Sequence, residues 1–193
     1  MLNVRARLVA WEMAILALLM TVTRFSHEGS AISLPDASLA VFFLVGMYCG
    51  GVGRFIVLFL LATLIDLVAT GFMGISDYCL TPAYVFLLPT YGTMWWIGCW
   101  LRGSDSNALD AAWIMRACMA VVVGTSIAFL VSNLSFYAFS GKVSQVSVGN
   151  YLSALTGYYA AYLSSTVLYS ALGVLCMEFT RSGLLRESNK LLH

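Results

Sequence analysis

Charge is the property this sequence has least of. Only 10% of its 193 residues are Asp, Glu, Lys or Arg, and 61% are apolar. A typical soluble domain carries about 25% charged residues. So little charge cannot clothe a water-facing surface, so lipid must cover it. The net charge of +1 offers no basic surface for nucleic acid. There is no Cys-x-x-Cys pair, which excludes a thioredoxin-like redox motif. There is no Gly-x-x-x-x-Gly-Lys loop, so the chain does not itself hydrolyse ATP. His27-Glu28 is not followed by a second histidine, so the zinc-hydrolase pattern is missing. No internal repeat and no low-complexity linker divides the chain. Residues 1–193 are expected to form a single transmembrane domain.

What is present is a series of long apolar runs. Residues 8–23, 55–72, 82–101, 111–139 and 151–179 each approach or exceed the roughly 20 helical residues that cross a bilayer core. Thr23-Arg24-Phe25 is no small-residue cleavage site, so the first run is expected to stay as a helix rather than leave as a signal peptide. A shorter run, residues 37–49, is too short to span alone. Charge decides whether it crosses, because Lys and Arg prefer the cytoplasmic side. If it crosses and the N-terminus is inside, Arg5, Arg7, Arg54, Arg102, Arg116, Arg181, Arg186 and Lys190 are inside, and only Arg24 and Lys142 outside. If it does not, the split becomes three inside to seven outside. The expected fold is therefore all-α and integral to the membrane, a bundle of six transmembrane helices with both termini cytoplasmic. All five tryptophans, at 11, 95, 96, 100 and 113, then fall toward the inner interface, where an aromatic belt is expected.

The cysteines sort by side. Cys49, Cys99, Cys118 and Cys176 fall toward inner helix ends and read as small apolar fillers. Cys79 stands alone on the outer side, in Asp77-Tyr78-Cys79-Leu80-Thr81-Pro82. Thr81 is a natural N-cap and Pro82 a natural first helical residue. Cys79 thus lies just before the positive end of a helix, which favours thiolate over thiol. An inert loop cysteine is the plainer alternative. Other polar residues collect at this depth. His27 and Glu28 follow the first helix, and Asp66 lies within the third, six residues before its outer end. A carboxylate inside a membrane helix is costly, and marks either function or a bond to a neighbouring helix. Glu12 lies near the inner end and is expected to snorkel. Phe25, Phe72, Tyr78, Tyr84 and Tyr91 flank the cluster. Tyr151, Tyr158, Tyr162 and Tyr169 share one helical face, whose outer end, Tyr151 and Tyr158, is placed to line an external cavity. Pro89 is expected to bend the fourth helix and widen space there.

On residues alone, this is a reactive or metal-binding thiol in an external cavity. Ligands for a closed zinc site are too scattered. One soft ligand suits a metal that brings most of its own coordination shell, and cobalt in a corrin ring is such a metal. A membrane thiol enzyme, with Cys79 as nucleophile and His27 as base, is an alternative from another class.

The external Asp77-Tyr78-Cys79-Leu80-Thr81-Pro82 segment, with His27, Asp66 and a short second helix, resembles the BtuM family of cobalamin transporters. That family is similar to the substrate-binding S-components of energy-coupling-factor vitamin transporters. The resemblance covers the whole chain in size and topology. It implies uptake of cobalamin (vitamin B12) or another corrinoid across the bacterial inner membrane. It implies that Cys79 gives cobalt an axial sulfur ligand, with thiolate-assisted decyanation of cyanocobalamin as an extension. It places His27, Asp66, Tyr78, Tyr84 and Tyr158 near the vitamin. It further implies a docking face on helix 1 for an energising module, through Ala10, Ala14 and Ala17, although such proteins also act alone. An S-component for another vitamin, or for a cobalt or nickel ion, is the neighbouring alternative.

Overall fold

The computed structural model describes residues 2–25, 34–72, 81–102 and 110–190. The helices are α1 (Leu2–Phe25), α2 (Ser38–Leu44), α3 (Val52–Phe72), α4 (Leu87–Arg102), α5 (Ala111–Phe139) and α6 (Val148–Lys190). A π-helical turn, Val45–Cys49, continues α2, and a 3-10 turn, Pro82–Phe86, leads into α4. No strand occurs among the described residues. Four helices, α1, α3, α5 and α6, are long and apolar enough to cross a membrane. This is a helical membrane protein.

The short second helix is the axis of the bundle. Every residue from Ser38 to Cys49 is buried, so α2 and its π turn have no lipid-facing side. Lipid tails are as apolar as leucine, so this burial gains little from water exclusion and depends on close packing instead. Glycines make that packing possible. A Cβ on Gly98 of α4 would strike the carbonyl oxygen of Phe43, and one on Gly46 would strike that of Trp95. The two backbones therefore touch, each through the other's glycine. A Cβ on Gly173 of α6 would run into the Leu44 side chain. On another side, Phe42 stacks on Tyr91 with ring centroids 4.5 Å apart and meets Phe55 of α3 at 5.4 Å.

The turn from α2 into α3 needs glycine. Gly50 and Gly51 have φ of 61° and 77°, where a side chain would strain the backbone. The amide of Gly50 donates to Val45 O at 2.7 Å, closing the wide π turn. Arg54, in the first turn of α3, bonds back to the carbonyls of Cys49 and Gly50 and caps the end of the helix.

Three expectations need correction. Pro89 does not interrupt α4 two turns in, because the α-helical geometry begins only at Leu87, after the 3-10 turn. Pro89 is thus in the first α-helical turn, where a missing N–H is tolerated. Thr81 occupies the N-cap position with Pro82 after it, but its hydroxyl makes no capping bond. Cys118 and Cys176 are exposed on the outer surface of the bundle rather than filling its core, whereas Cys49 is buried as expected. Among the tryptophans, Trp11, Trp96 and Trp100 face outward, whereas Trp113 belongs to the core and Trp95 packs on Phe55.

Candidate functional site

Two charged clusters lie at opposite ends of α2. The first surrounds its start. Arg24, in the last turn of α1, reaches Asp66 of α3 through both edges of its guanidinium. Nε is 2.5 Å from Oδ1 and Nη2 is 2.6 Å from Oδ2. Its Nη1 donates to Ser38 Oγ at 2.9 Å and to the Tyr91 hydroxyl at 2.8 Å. Asp36 stands 3.7 Å from the same nitrogen. Tyr84, from the 3-10 turn, donates to Asp66 Oδ2 at 2.8 Å. Ser38 is held in turn by Asp36, which accepts from both its amide and its hydroxyl. The side chain of Arg24 is 12% exposed and that of Asp66 20%.

Each element has a local reason to deliver its residue here. Arg24 ends the apolar run of α1, where a long side chain can turn along the helix toward a polar partner. Thr23 accepts the Ala37 amide at 3.3 Å and so ties the start of α2 to α1. Tyr84 is projected by a turn that opens with Pro82 and closes with Tyr84 N donating to Thr81 O at 2.8 Å. The segment carrying Cys79 therefore runs directly into the element that grips Asp66.

Among the described residues, the charges sum to one cation against two carboxylates. Both oxygens of Asp66 already accept bonds, from Arg24 and from Tyr84. Asp66 is thus built to fix Arg24 and Tyr84 in place, and a direct ligand to a metal would have to displace one of them. Among the described residues, no group of three or more His, Cys, Asp or Glu could hold a metal ion.

Of the residues singled out from the sequence, Asp66 and Tyr84 come together in one network. Tyr158 does not join them. It lies 65% exposed on the surface of α6. His27, Tyr78 and Cys79 lie outside the described residues. Tyr91, named from the sequence among the aromatics of this cluster, joins Asp66 and Tyr84, whereas sequence reasoning missed Arg24, Ser38 and Asp36 as members of the network. A signal for Arg24 was present: it is a cation at the end of one apolar run, with an acid inside another, and charges within membrane helices pair.

The second cluster surrounds the end of α2. Arg181 of α6 grips Glu12 of α1, with Nε–Oε1 at 2.8 Å and Nη2–Oε2 at 2.9 Å. The same guanidinium lies over the Tyr48 ring, 4.6 Å from its centroid, and Tyr48 donates to Glu178 at 2.9 Å. Glu12 is only 5% exposed. It does not snorkel to water, because Arg181 neutralises it within the bundle. Arg181 read from sequence only as a positive-inside residue.

No protein-family model matches the chain, and no curated protein matches it either.

Proposed function

We propose that the chain is an inner-membrane carrier for cobalamin or a related corrinoid, held at the outer cluster with Cys79 as the axial ligand to cobalt. One observation carries the reading. The Tyr84 turn, which begins three residues after Cys79, is anchored on an intramembrane carboxylate that is itself clamped by Arg24. Chain connectivity keeps Cys79 within three residues of this anchored turn, whose partners are Arg24, Asp66 and Tyr91. In this reading Asp66 and Tyr84 support the site, and His27 and Tyr78 belong to it with Cys79.

The topology proposed with it has six crossings and both ends in the cytoplasm. Three features support it. α2 runs from one charged cluster to the other. The helical stretch from Pro82 to Arg102 reaches about 34 Å, enough for a bilayer core of about 30 Å. The N-terminal half of α1 and the C-terminal half of α6 meet at the Glu12–Arg181 cluster. Ala10 and Ala14 are exposed on α1 and leave room for a partner helix to approach closely, while Ala17 packs partly against the core.

Bound cyanocobalamin would exchange ligands at such a site. The thiolate electron pair forms the cobalt–sulfur bond, cyanide departs with the electron pair of its own bond, and cobalt keeps its oxidation state. The test of binding is Cys79→Ser, folded and purified with vitamin. Wild type should give a cobalt–sulfur absorption spectrum, and the variant should lose it. An unchanged spectrum removes the axial-ligand role. Transport is tested by growth of a cobalamin-requiring strain that lacks its own inner-membrane importer. Failure of wild type to rescue growth removes it.

A further inference from the structure

A groove of about 450 Å³ opens on the flank of the bundle between α4 and α5. It lies away from both charged clusters. Ile97 and Ala120 are nearly buried and form its floor, while Trp96 and Trp100 stand exposed along the α4 side. The groove exists because α5 is thin here. Ala120 and Gly124 lie one turn apart, and a Cβ on Gly124 would meet Ile97 Cδ1 at 2.9 Å. Small residues bring the two helices together, and the large residues on either side become walls.

Its lining is almost wholly apolar, with one cation, Arg116, at one end, whose Nε donates to Ala112 O at 3.3 Å. Arg116 lies in the second turn of α5, at the end of the bundle where α4 finishes with Arg102. From Arg116 to Ile127 the groove follows eleven residues of α5, about 16 Å of helix. That is close to half of a hydrocarbon core about 30 Å thick, the depth of one leaflet. Trp96 and Trp100 are residues that favour the boundary between headgroups and chains.

We infer that this groove is a binding site for one anionic phospholipid, with an acyl chain along Ile97 and Ala120 and the headgroup phosphate on Arg116. The chain fills an apolar trough one leaflet deep, and the guanidinium pairs with the phosphate at its mouth. The inference rests on the membrane setting and not on the nature of any transported ligand.

The test is native mass spectrometry of the full chain, delipidated in detergent and then offered phosphatidylglycerol or phosphatidylcholine with identical acyl chains. Wild type should retain one phosphatidylglycerol in preference to phosphatidylcholine. Ala120→Phe fills the floor and should release it. Val123→Trp reaches in from the exposed rim without touching the core, so it keeps the test valid if the first variant does not fold. Arg116→Gln should keep the acyl chain but lower the preference for phosphatidylglycerol about fivefold, the equivalent of about 1 kcal/mol for a basic residue near an anionic lipid surface. A wild type without preference, a Val123→Trp protein that binds lipid as wild type does, or an Arg116→Gln protein with unchanged preference would each overturn the assignment.

Discussion

Replacing Asp66 by leucine isolates what the outer cluster contributes to the fold. The substitution leaves Arg24 buried without its bidentate partner. Breaking one side of a buried ion pair costs about 3–5 kcal/mol, because the remaining charge stays desolvated. Here the cost should fall near the lower figure. Arg24 keeps Ser38 and Tyr91 as acceptors, and Asp36 remains 3.7 Å away. At an effective dielectric near 20, a charge pair at that distance is worth on the order of 4 kcal/mol before desolvation. Arg24→Met is the converse case. It leaves Asp66 with only the Tyr84 hydroxyl and should cost at least as much. The double variant Arg24→Met/Asp66→Leu removes both charges, and an apolar pair of similar volume is often neutral or better. The three variants therefore form a cycle whose coupling should exceed about 2 kcal/mol, within the range found for residues in one network. Thermal unfolding in detergent, followed by retention of a monodisperse peak, reads it out. With about 2–4 °C per kcal/mol for a chain of this size, the single variants should melt some 6–12 °C below wild type, and the double variant above either. Purely additive losses would refute the pairing and the reasoning built on it.

Further outcomes follow from other contacts. Gly98→Val should destabilise the bundle by about 1–3 kcal/mol through overpacking, since its Cβ meets α2 backbone, and the same assay should place it well below Gly92→Val, whose Cβ meets nothing. Glu12→Leu should be rescued by Arg181→Met in a second double-mutant cycle, measured as recovered melting temperature. Tyr84→Phe removes one hydrogen bond to Asp66 and should lower stability by only about 0.6 kcal/mol, the average for such bonds within membrane bundles, so a large thermal loss would show that the hydroxyl does more. Ala10→Leu and Ala14→Leu lie on the exposed face of α1 and should change stability by less than about 0.5 kcal/mol, and loss of the proposed corrinoid uptake with intact stability would locate a partner contact there.

The helical membrane class was legible because charge scarcity and run length are properties of composition, which packing does not alter. Asp66 was legible for the same reason: an acid in an apolar run is conspicuous before its partner is known. Its partner was harder to see. Arg24 reads locally as an ordinary helix-end arginine, and only the packing of α1 on α3 brings it to Asp66, 42 residues along the chain. Glu12 read as an interfacial residue for a similar reason, since Arg181 lies 169 residues away. The tyrosine face of α6 misled differently. Spacing places Tyr158 on a stripe, but Tyr158 itself is exposed, whereas its stripe neighbours pack, Tyr151 on Tyr137, Tyr162 on Phe129 and Tyr169 partly against the core. The change from 3-10 to α geometry before Pro89 depends on where the helix begins, which periodicity does not fix.

The completely buried α2 also constrains how the protein is made. It is synthesised before α3, α4 and α6, which together with α1 form its walls. With only twelve residues from Ser38 to Cys49, it is too short to settle in lipid by itself. Until α4 supplies Gly98 and α6 supplies Gly173, this segment has only part of its seat in the membrane. A chain truncated after α3 should leave residues 38–49 only partly seated, so that stable insertion of this helix waits for α4 and α6.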